Sequence, residues 1–325
     1  MITNHKTKNK GGNLQSILLF SSIIVIGIVF GILIPDFFSL STLSTIFITM
    51  AMTCVIALGT TFVLTSGEID ISMGAMLSVA TVIVAVLARS GMPVGIAMLI
   101  SAAVTIGLGF LNGFLTVKVG IPSFVATLGV NGVAMGLSRI ISNNGSIKLE
   151  DETFLGTFGR KLGDSEVQMI IIWLIALTII AFIIFSKTRF GREVQCTGDN
   201  REAAFLYGIN TNKTVILAFI VSAIFTFMAA MLMLARSGFA SPGEGESYTL
   251  PAIVAAVVGG TSIRGGKGSI IGGFFGAFFL SIISNGLFLL KFNAWTANII
   301  TGIIIVIVLT ISSLSEQRSR ELSRT

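Results

Sequence analysis

Apolar residues run along this chain in long blocks that short polar or glycine-rich segments separate. We count ten blocks, at residues 17–36, 43–64, 73–89, 94–117, 123–142, 167–186, 213–236, 248–260, 270–290 and 295–314. A helix needs about 20 mostly apolar residues to cross a bilayer. The third and eighth blocks are shorter, which predicts helices that begin or end inside the membrane at a glycine turn. The pattern predicts an all-α polytopic membrane protein with about ten transmembrane helices.

Composition and charge agree with this fold class. Of the 325 residues, 53% are hydrophobic and 11% are charged, and the mean hydropathy is +0.94. The sequence pI is about 9.6, but the basic residues lie in loops and tails between the apolar blocks. This distribution is typical of membrane topology and does not indicate nucleic-acid binding.

The basic side chains divide unequally between the two sides of the predicted spans. With the N-terminus inside, 14 Lys and Arg fall on the inner side and seven on the outer side, which favours this orientation. We expect one transmembrane domain over residues 1–325, in a cytoplasmic membrane. Both termini (1–16 and 315–325) and the loop at 187–213 are then cytoplasmic, and the acidic loop at 143–166 faces outward.

A short pattern recurs in the two halves of the chain. Asn112-Gly113, Lys118 and Gly129 recur with the same spacing as Asn285-Gly286, Lys291 and Gly302. The two sets belong to spans 4–5 and 9–10, which the predicted topology runs in opposite directions. We therefore predict an inverted repeat of spans 2–5 and spans 7–10.

Two glycine-rich breaks interrupt the apolar blocks, at residues 67–74 and 259–269. Non-helical backbone at membrane depth survives only against other protein or a water-filled path. We therefore predict half-helices at these turns and assign residues of both breaks to the translocation path or its gate. The candidate path or gate residues are Asp70, Ser72, Gly260, Thr261, Ser262 and Asn285.

Carboxylates at membrane depth allow two interpretations of the first break. Glu68 and Asp70 could form a proton or cation relay, because intramembrane charges are costly and often functional. Alternatively, Asp70 or Ser72 caps the following half-helix. We favour the cap, because a relay needs further ionisable members and the single histidine, His5, lies in the N-terminal tail.

Enzymatic chemistry is not indicated. The turn at Gly265-Gly266-Lys267 resembles the end of a phosphate-binding loop, but Thr261 replaces the first glycine of that motif and Gly268 replaces its hydroxyl residue. The sequence shows neither a spaced set of metal-ligating residues nor a nucleophile with a base. We expect no cofactor and no metal, so that any ATP hydrolysis occurs on a separate chain.

The loop at residues 187–213 is the only long inner loop. Residues 197–200 supply turn and N-cap chemistry, Glu202 would lie in a first turn, and Gly208 would end a short helix. A solvated loop against anionic lipid headgroups is the simpler interpretation. An apolar stretch within a charged loop favours a helix that docks into a partner's groove, so we predict a coupling helix at residues 198–209. Its assigned residues are Gly198, Asn200, Glu202, Ala203, Ala204 and Gly208.

Five motifs, in order along nearly the whole chain, resemble the ribose-type permease subunits of bacterial ABC importers. They are Gly67-Glu68-Ile69-Asp70-Ile71-Ser72-Met73-Gly74; Ile121-Pro122 with Thr127-Leu128-Gly129; Thr188-Arg189-Phe190-Gly191-Arg192; Gly198, Asn200, Ala203, Ala204, Gly208 and Ile209; and Gly259-Gly260-Thr261-Ser262 with Gly265-Gly266 and Gly268-Ser269. Each motif alone is weak in a glycine-rich membrane protein. Their shared order and consistent membrane sides make the resemblance specific.

The resemblance implies an all-helical permease that works as a dimer, either with a second copy or with a paralogue. It implies cytoplasmic ABC ATPase subunits that dock on the loop between spans 6 and 7, and an extracytoplasmic substrate-binding protein. Two residues depart from the family pattern. Glu68 replaces a glycine, and Asp199 adds an acid to the coupling loop.

Two classes of function remain open on the sequence. The first is an importer permease for a small-molecule substrate, with a monosaccharide as first choice and autoinducer-2, nucleosides and branched-chain amino acids as alternatives. The second is a stand-alone secondary transporter or channel for a small polar solute. The second class needs intramembrane ionisable pairs or a filter, and it would transport without ATP.

Overall fold

A computed structural model describes residues 10–162, 167–293, 295–297, 299–304, 306–307 and 310. The predicted tail at 315–325 and most of the tail at 1–16 lie outside these residues. The helices are α1 (Lys10–Leu33), α2 (Leu40–Thr65), α3 (Met73–Arg89), α4 (Val94–Phe114), α5 (Ser123–Ile141), α6 (Glu152–Phe158), α7 (Met169–Lys187), α8 (Arg189–Asp199), α9 (Arg201–Leu206), α10 (Thr211–Ser237), α11 (Glu246–Val258) and α12 (Ile270–Leu289). A further apolar helix covers Trp295–Ile304.

The predicted fold class is confirmed. Six helices (α2, α4, α5, α7, α10 and α12) are long and apolar enough to cross a membrane, by length and composition. Four shorter apolar helices complete the ten predicted segments, at Ile17–Leu33, Met73–Arg89, Glu246–Val258 and Trp295–Ile304. As predicted, α3 and α11 are short, with 17 and 13 residues.

Local sequence chemistry explains several helix boundaries. The hydroxyls of Ser39 and Ser269 accept backbone N–H groups in the first turns of α2 and α12. A π-helical turn at Leu115–Val119 extends α4 and ends at Gly120, whose φ of 83° lies in the left-handed region. Pro122 then precedes α5, where a missing N–H costs no helical hydrogen bond.

The helix packing follows the predicted inverted repeat. In the first half, α4 packs against α3 and α10, and in the second half α12 packs against α11 and α2. The matched spans are five places apart, so that α4 corresponds to α12, α3 to α11 and α10 to α2. With these replacements, the contacts of the first half become the contacts of the second half. Because the partners are five positions apart in the order of spans, which is an odd offset, the matched helices run in opposite directions.

The core surrounds α2, which is buried almost continuously from Met50 to Thr65. It packs closely against α10 at Gly59, where an added Cβ would lie 3.0 Å from Ser222 Cα. Phe62 lies within 6.4 Å, between ring centroids, of Phe185, Phe190 and Phe225. These rings join α2 to α7, α8 and α10 near the end of the molecule that carries the 187–213 loop.

The segments assigned to the outer side meet one another at the opposite end. Strand β1 (Ile147–Lys148) pairs antiparallel with β2 (Phe239–Ala240), so the two longest outer loops lie together. The side chain of Asp151 accepts the Phe154 N–H and caps α6. The predicted loop at 143–166 therefore contains a strand and a short helix, and its residues 163–166 lie outside the described part of the chain.

Candidate functional site: the inner junction and its docking helix

The loop at 187–213 folds differently from our prediction. We expected one short helix at 198–209, but two helices fill the loop, α8 and α9. Gly198 and Asp199 are the last residues of α8 and do not form the predicted turn. The Thr188 side chain accepts the Gly191 N–H and starts α8, a cap that the Thr188-Arg189-Phe190-Gly191 motif could have indicated.

The predicted start and stop of α9 are confirmed. The side chain of Asn200 accepts the Ala203 N–H at 2.9 Å, as expected of an N-cap. Glu202 lies in the first turn, where a negative charge interacts favourably with the positive end of the helix dipole. Gly208 has a φ of 83°, which ends the segment in a conformation that glycine adopts without strain.

Helix α9 presents apolar side chains to its surroundings. Phe205, Leu206 and Tyr207 are 68%, 83% and 88% exposed. Beside them lies a cleft of about 460 Å³, lined by Arg201, Glu202, Phe205, Leu206 and Thr211. Contiguous exposed apolar surface next to a cleft is typical of an interaction site.

One predicted contact of α9 is wrong. We placed Ala203 and Ala204 in a partner's groove, but Ala204 is only 4% exposed because it packs inside the chain. Ala203 is half-buried. The residues able to meet a partner are those that follow them, at 205–207.

Three segments of the chain approach closely beneath α8 and α9. We call this contact the inner junction, formed by Gly67, Gly198, Gly265 and Gly266. The Gly266 N–H donates to the carbonyl of Thr65 at 2.9 Å. A Cβ on Gly198 would lie 2.7 Å from the Gly266 nitrogen, and one on Gly265 would lie 2.9 Å from Gly67 Cα. Glycine permits these approaches because it has no side chain.

The inner junction therefore joins α8 to both glycine-rich breaks. Gly67 belongs to the break between α2 and α3, and Gly265 and Gly266 belong to the break between α11 and α12. The sequence motifs contained each of these glycines, but their convergence is a tertiary relationship that spacing along the chain does not reveal.

Hydroxyl side chains of α5 satisfy the backbone of the first break. The Ile69 N–H donates to Ser123 Oγ at 3.1 Å, and the Ile71 N–H donates to Thr127 Oγ1 at 3.3 Å. The prediction that protein groups supply partners for this non-helical backbone is confirmed. We had not assigned Ser123 or Thr127, although Thr127 lies in one of the motifs.

The first turns of the two short helices contact each other. The Gly74 N–H of α3 donates to Thr249 Oγ1 of α11 at 3.1 Å. Reciprocally, the Gly245 N–H, just before α11, donates to Ser78 Oγ of α3 at 2.9 Å. Each short helix thus supplies a hydroxyl that satisfies a backbone donor at the start of the other.

Asp70 and Ser72 form a buried hydrogen-bonded group with a residue of α4. Ser72 donates to Asp70 Oδ1 from its nitrogen at 2.8 Å and from its hydroxyl at 2.6 Å. Asn112 Nδ2 donates to Ser72 Oγ at 2.8 Å. We expected Asp70 or Ser72 to cap α3, and the Ser72 alternative is wrong, because its side chain makes no capping hydrogen bond. Asp70 instead fixes the residue that immediately precedes the helix.

The other predicted path residues lie apart from this group. Gly260 has a φ of 101° and starts the second break, where Thr261 is 2% exposed and accepts the Ser269 N–H. The Ser262 N–H donates to the Lys267 carbonyl at 2.9 Å, which closes the turn. Asn285 donates to the Ser281 carbonyl of its own helix at 2.9 Å. Its repeat counterpart Asn112, which we had not assigned, makes the contact with the first break.

Glu68 has an ion-pair partner in α9. Its Oε1 accepts Arg201 Nη1 at 3.0 Å, with the Glu68 side chain 12% exposed and the Arg201 side chain 43% exposed. This contact links the break before α3 directly to the first residue of α9. Sequence reasoning named Glu68 as a departure from the family pattern and as a possible relay member, but did not predict this partner.

Contacts therefore connect α8 and α9, through the inner junction and the Glu68–Arg201 ion pair, to the two glycine-rich breaks. Residues 42–309 match the protein family described as branched-chain amino acid transport system / permease component. The chain belongs to this permease family. The match begins just before the second predicted span and ends within the tenth.

The sequence of the permease is similar to those of several relatives over most of their lengths. It is 33% identical over 276 residues to the Autoinducer 2 import system permease protein LsrC of Photorhabdus luminescens, covering 84% of this chain and 82% of the relative. It is 33% identical over 313 residues to the Probable ABC transporter permease protein YphD of Escherichia coli, covering 96% and 93%. It is 31% identical over 313 residues to the Ribose import permease protein RbsC of Bacillus subtilis, covering 94% and 95%.

The permease is therefore a transmembrane subunit of an ABC importer, and its function is transport. The predicted resemblance is confirmed. A multi-pass permease of this bacterial type belongs to the inner membrane.

Proposed function

We propose that the permease forms the translocation path for a small sugar or sugar-like solute. The observation that carries this proposal is similarity over more than nine-tenths of both chains to a ribose import permease. Similarity to an autoinducer-2 permease points to the same chemical class, a small polyhydroxylated solute. An extracytoplasmic binding protein delivers the solute to the outer end, where β1 and β2 lie.

Cytoplasmic ABC ATPase subunits drive transport by docking on α9. Phe205, Leu206 and Tyr207 provide the apolar contact, and the adjacent cleft receives a side chain of the partner. Asn200 and Gly208 set the ends of the helix. Gly198 lets the inner junction close, and Ala204 packs α9 onto its own chain.

The two glycine-rich breaks act as the gate. Asp70, Ser72 and Asn112 hold the break before α3, while Gly260, Thr261 and Ser262 form the turn after α11. Asn112 Oδ1 is buried and has no hydrogen-bond partner among the described residues. It supplies an acceptor for water or a sugar hydroxyl when the path opens. Asn285 is a weaker candidate for the path than Asn112, because its side-chain amide donates to a carbonyl within α12.

The permease works as a dimer, with itself or with a paralogue, because one subunit supplies one α9 and paired ATPases need two docking sites. Both termini and the 187–213 loop face the cytoplasm. Native mass spectrometry of the ATPase-bound complex should find two permease chains. A complex with one copy and no paralogue would exclude the dimer.

The decisive experiment is reconstitution in liposomes with the ATPase and binding protein encoded by neighbouring reading frames. We expect ATP-dependent uptake of at least one of D-ribose, D-allose, D-fructose and autoinducer-2, and no uptake with a Walker-lysine variant of the ATPase. Uptake by the permease alone, without ATP, would support the stand-alone transporter instead. ATP-dependent uptake of leucine but of none of these four solutes would overturn the sugar assignment.

A further inference from the structure

The contacts around Glu68 place an ionic link in parallel with the backbone contacts of the inner junction. The backbone part consists of the Gly266 N–H bond to Thr65 and the close approach of Gly198. It joins the end of α8 to the two breaks. The Glu68–Arg201 ion pair joins the start of α9 to the first break.

Both departures from the family pattern lie at this junction. Glu68 stands where the pattern has glycine, and its carboxylate reaches Arg201. Asp199 packs directly against Gly266 of the inner junction, because a Cβ on Gly266 would lie 2.8 Å from Asp199 Cα. The acidic residues that distinguish this chain are therefore gathered where α8 and α9 meet the break.

Arg201 also belongs to the docking surface. It lines the cleft beside Phe205 and Leu206. A guanidinium carries five N–H donors in a planar fork, so the bond from Nη1 to Glu68 leaves donors for a second acceptor. A partner that fills the cleft therefore contacts the same side chain that holds the first break.

We propose that Glu68 and Arg201 are positioning residues that transmit movement of α9 to the break before α3. This inference rests on the proposed function, because it requires an ATPase that moves α9. When the ATPases close, α9 shifts, Arg201 carries Glu68 with it, and residues 66–72 change their contacts with Ser123 and Thr127. The backbone contacts of the inner junction transmit part of the same movement, so losing the ion pair weakens the coupling without abolishing it.

The test is hydrogen–deuterium exchange of the full permease purified with its ATPase subunits, with and without ATP and vanadate. In the wild type we expect nucleotide to change exchange at both residues 201–209 and residues 66–72. In Glu68→Gln and Arg201→Gln, the change at 201–209 should persist while the change at 66–72 becomes roughly two- to fivefold smaller, in the range expected for one partly exposed ion pair.

Three further variants separate positioning from general stability. Arg201→Lys keeps the charge and should keep most of the change at 66–72. The exchanged pair Glu68→Arg with Arg201→Glu should recover it. Glu193→Gln is the matched control, because it removes the 2.7 Å Arg189–Glu193 ion pair, which lies within α8 and joins no two elements.

The outcomes are distinct. An undiminished change at 66–72 in Glu68→Gln, or an equal loss in Glu193→Gln, would overturn the positioning role while leaving the docking role of α9 intact. If nucleotide leaves 201–209 unchanged even in the wild type, the proposed docking of the ATPases on α9 fails, and the inference fails with it.

Discussion

Glu68 and Arg201 are 133 positions apart in the chain, yet their side chains meet at 3.0 Å. The carboxylate comes from a non-helical break between two apolar helices, and the guanidinium comes from the first residue of α9. An isolated surface ion pair contributes at most about 1 kcal/mol. The importance of this pair therefore lies in which elements it connects, and not in its contribution to stability.

Leu206→Arg should abolish the binding of ATPase subunits. Leu206 is 83% exposed on α9, so the change leaves the packing of the chain intact and places a charge in the apolar contact. Burying an unpaired charge at an interface costs several kcal/mol, which corresponds to a loss of affinity of roughly 100-fold or more. Co-purification of the ATPases from detergent-solubilised membranes measures the effect.

Phe239→Arg is the control for that experiment. Phe239 is also an exposed apolar residue, at 45%, but it lies on β2 at the opposite end of the molecule. The variant should retain its ATPases. Equal loss of ATPase binding in both variants would show that added charge disturbs the membrane insertion of the permease in general.

Asp70→Asn should retain ATP-driven uptake. The amide oxygen can still accept hydrogen bonds from the Ser72 nitrogen and hydroxyl, which are the contacts that hold the break. Asp70→Leu removes both, and we expect it to lower the free energy of unfolding by about 1.5–3 kcal/mol, the usual value for hydrogen bonds to a charged group. Uptake in proteoliposomes and thermal unfolding in detergent separate the two effects. An inactive but stable Asn variant would favour the proton relay.

Gly198→Ala should destabilise the inner junction. The added methyl group would press against the Thr65 carbonyl and lie 2.7 Å from the Gly266 nitrogen. Such overpacking typically costs about 1–3 kcal/mol. Gly107→Ala is the matched control, because nothing lies within 4 Å of a Cβ at that helical position. The free energies of unfolding of the two variants, measured by thermal unfolding, should differ by this amount. Equal unfolding midpoints would contradict a close approach at the inner junction.

Thiol labelling should distinguish the two ends of the permease. In a Cys54→Ala, Cys196→Ser background, cysteine at position 150 should react with an impermeant maleimide from outside intact cells. Cysteine at position 202 should react only after the membrane is opened. Both native glutamates are exposed, so accessibility depends on the side of the membrane. Labelling of position 202 from outside would reverse the proposed topology.

The helical segments and the inverted repeat could be predicted because the bilayer imposes a simple code of length and apolarity. The two halves were paired from the recurring spacing of Asn-Gly, Lys and Gly together with the count of ten spans. The same code does not operate in the 187–213 loop, where water satisfies backbone groups equally well in loops and helices. This explains why α8 was missed while α9, with its Asn200 cap and Gly208 stop, was found.

The contacts of the site were less predictable than its members. Asp70 and Ser72 were both predicted as path or gate residues and do contact each other, but their further partner is Asn112, and the hydroxyls that satisfy the break come from α5 and α11. Ser123, Thr127 and Thr249 look like ordinary small polar residues of apolar helices. Only the three-dimensional packing shows that each of these hydroxyls accepts a backbone N–H of the first break.

Recognition and attachment use different parts of the α9 region. The proposed docking surface consists of the exposed side chains at 205–207, whereas the contact with the membrane helices depends largely on backbone atoms at Thr65 and Gly266. Mutations can alter the first without touching the second. A lineage could therefore exchange one motor for another by changing a few neighbouring codons, and a chimaera that carries a relative's 205–207 and keeps Arg201 should accept that relative's motor.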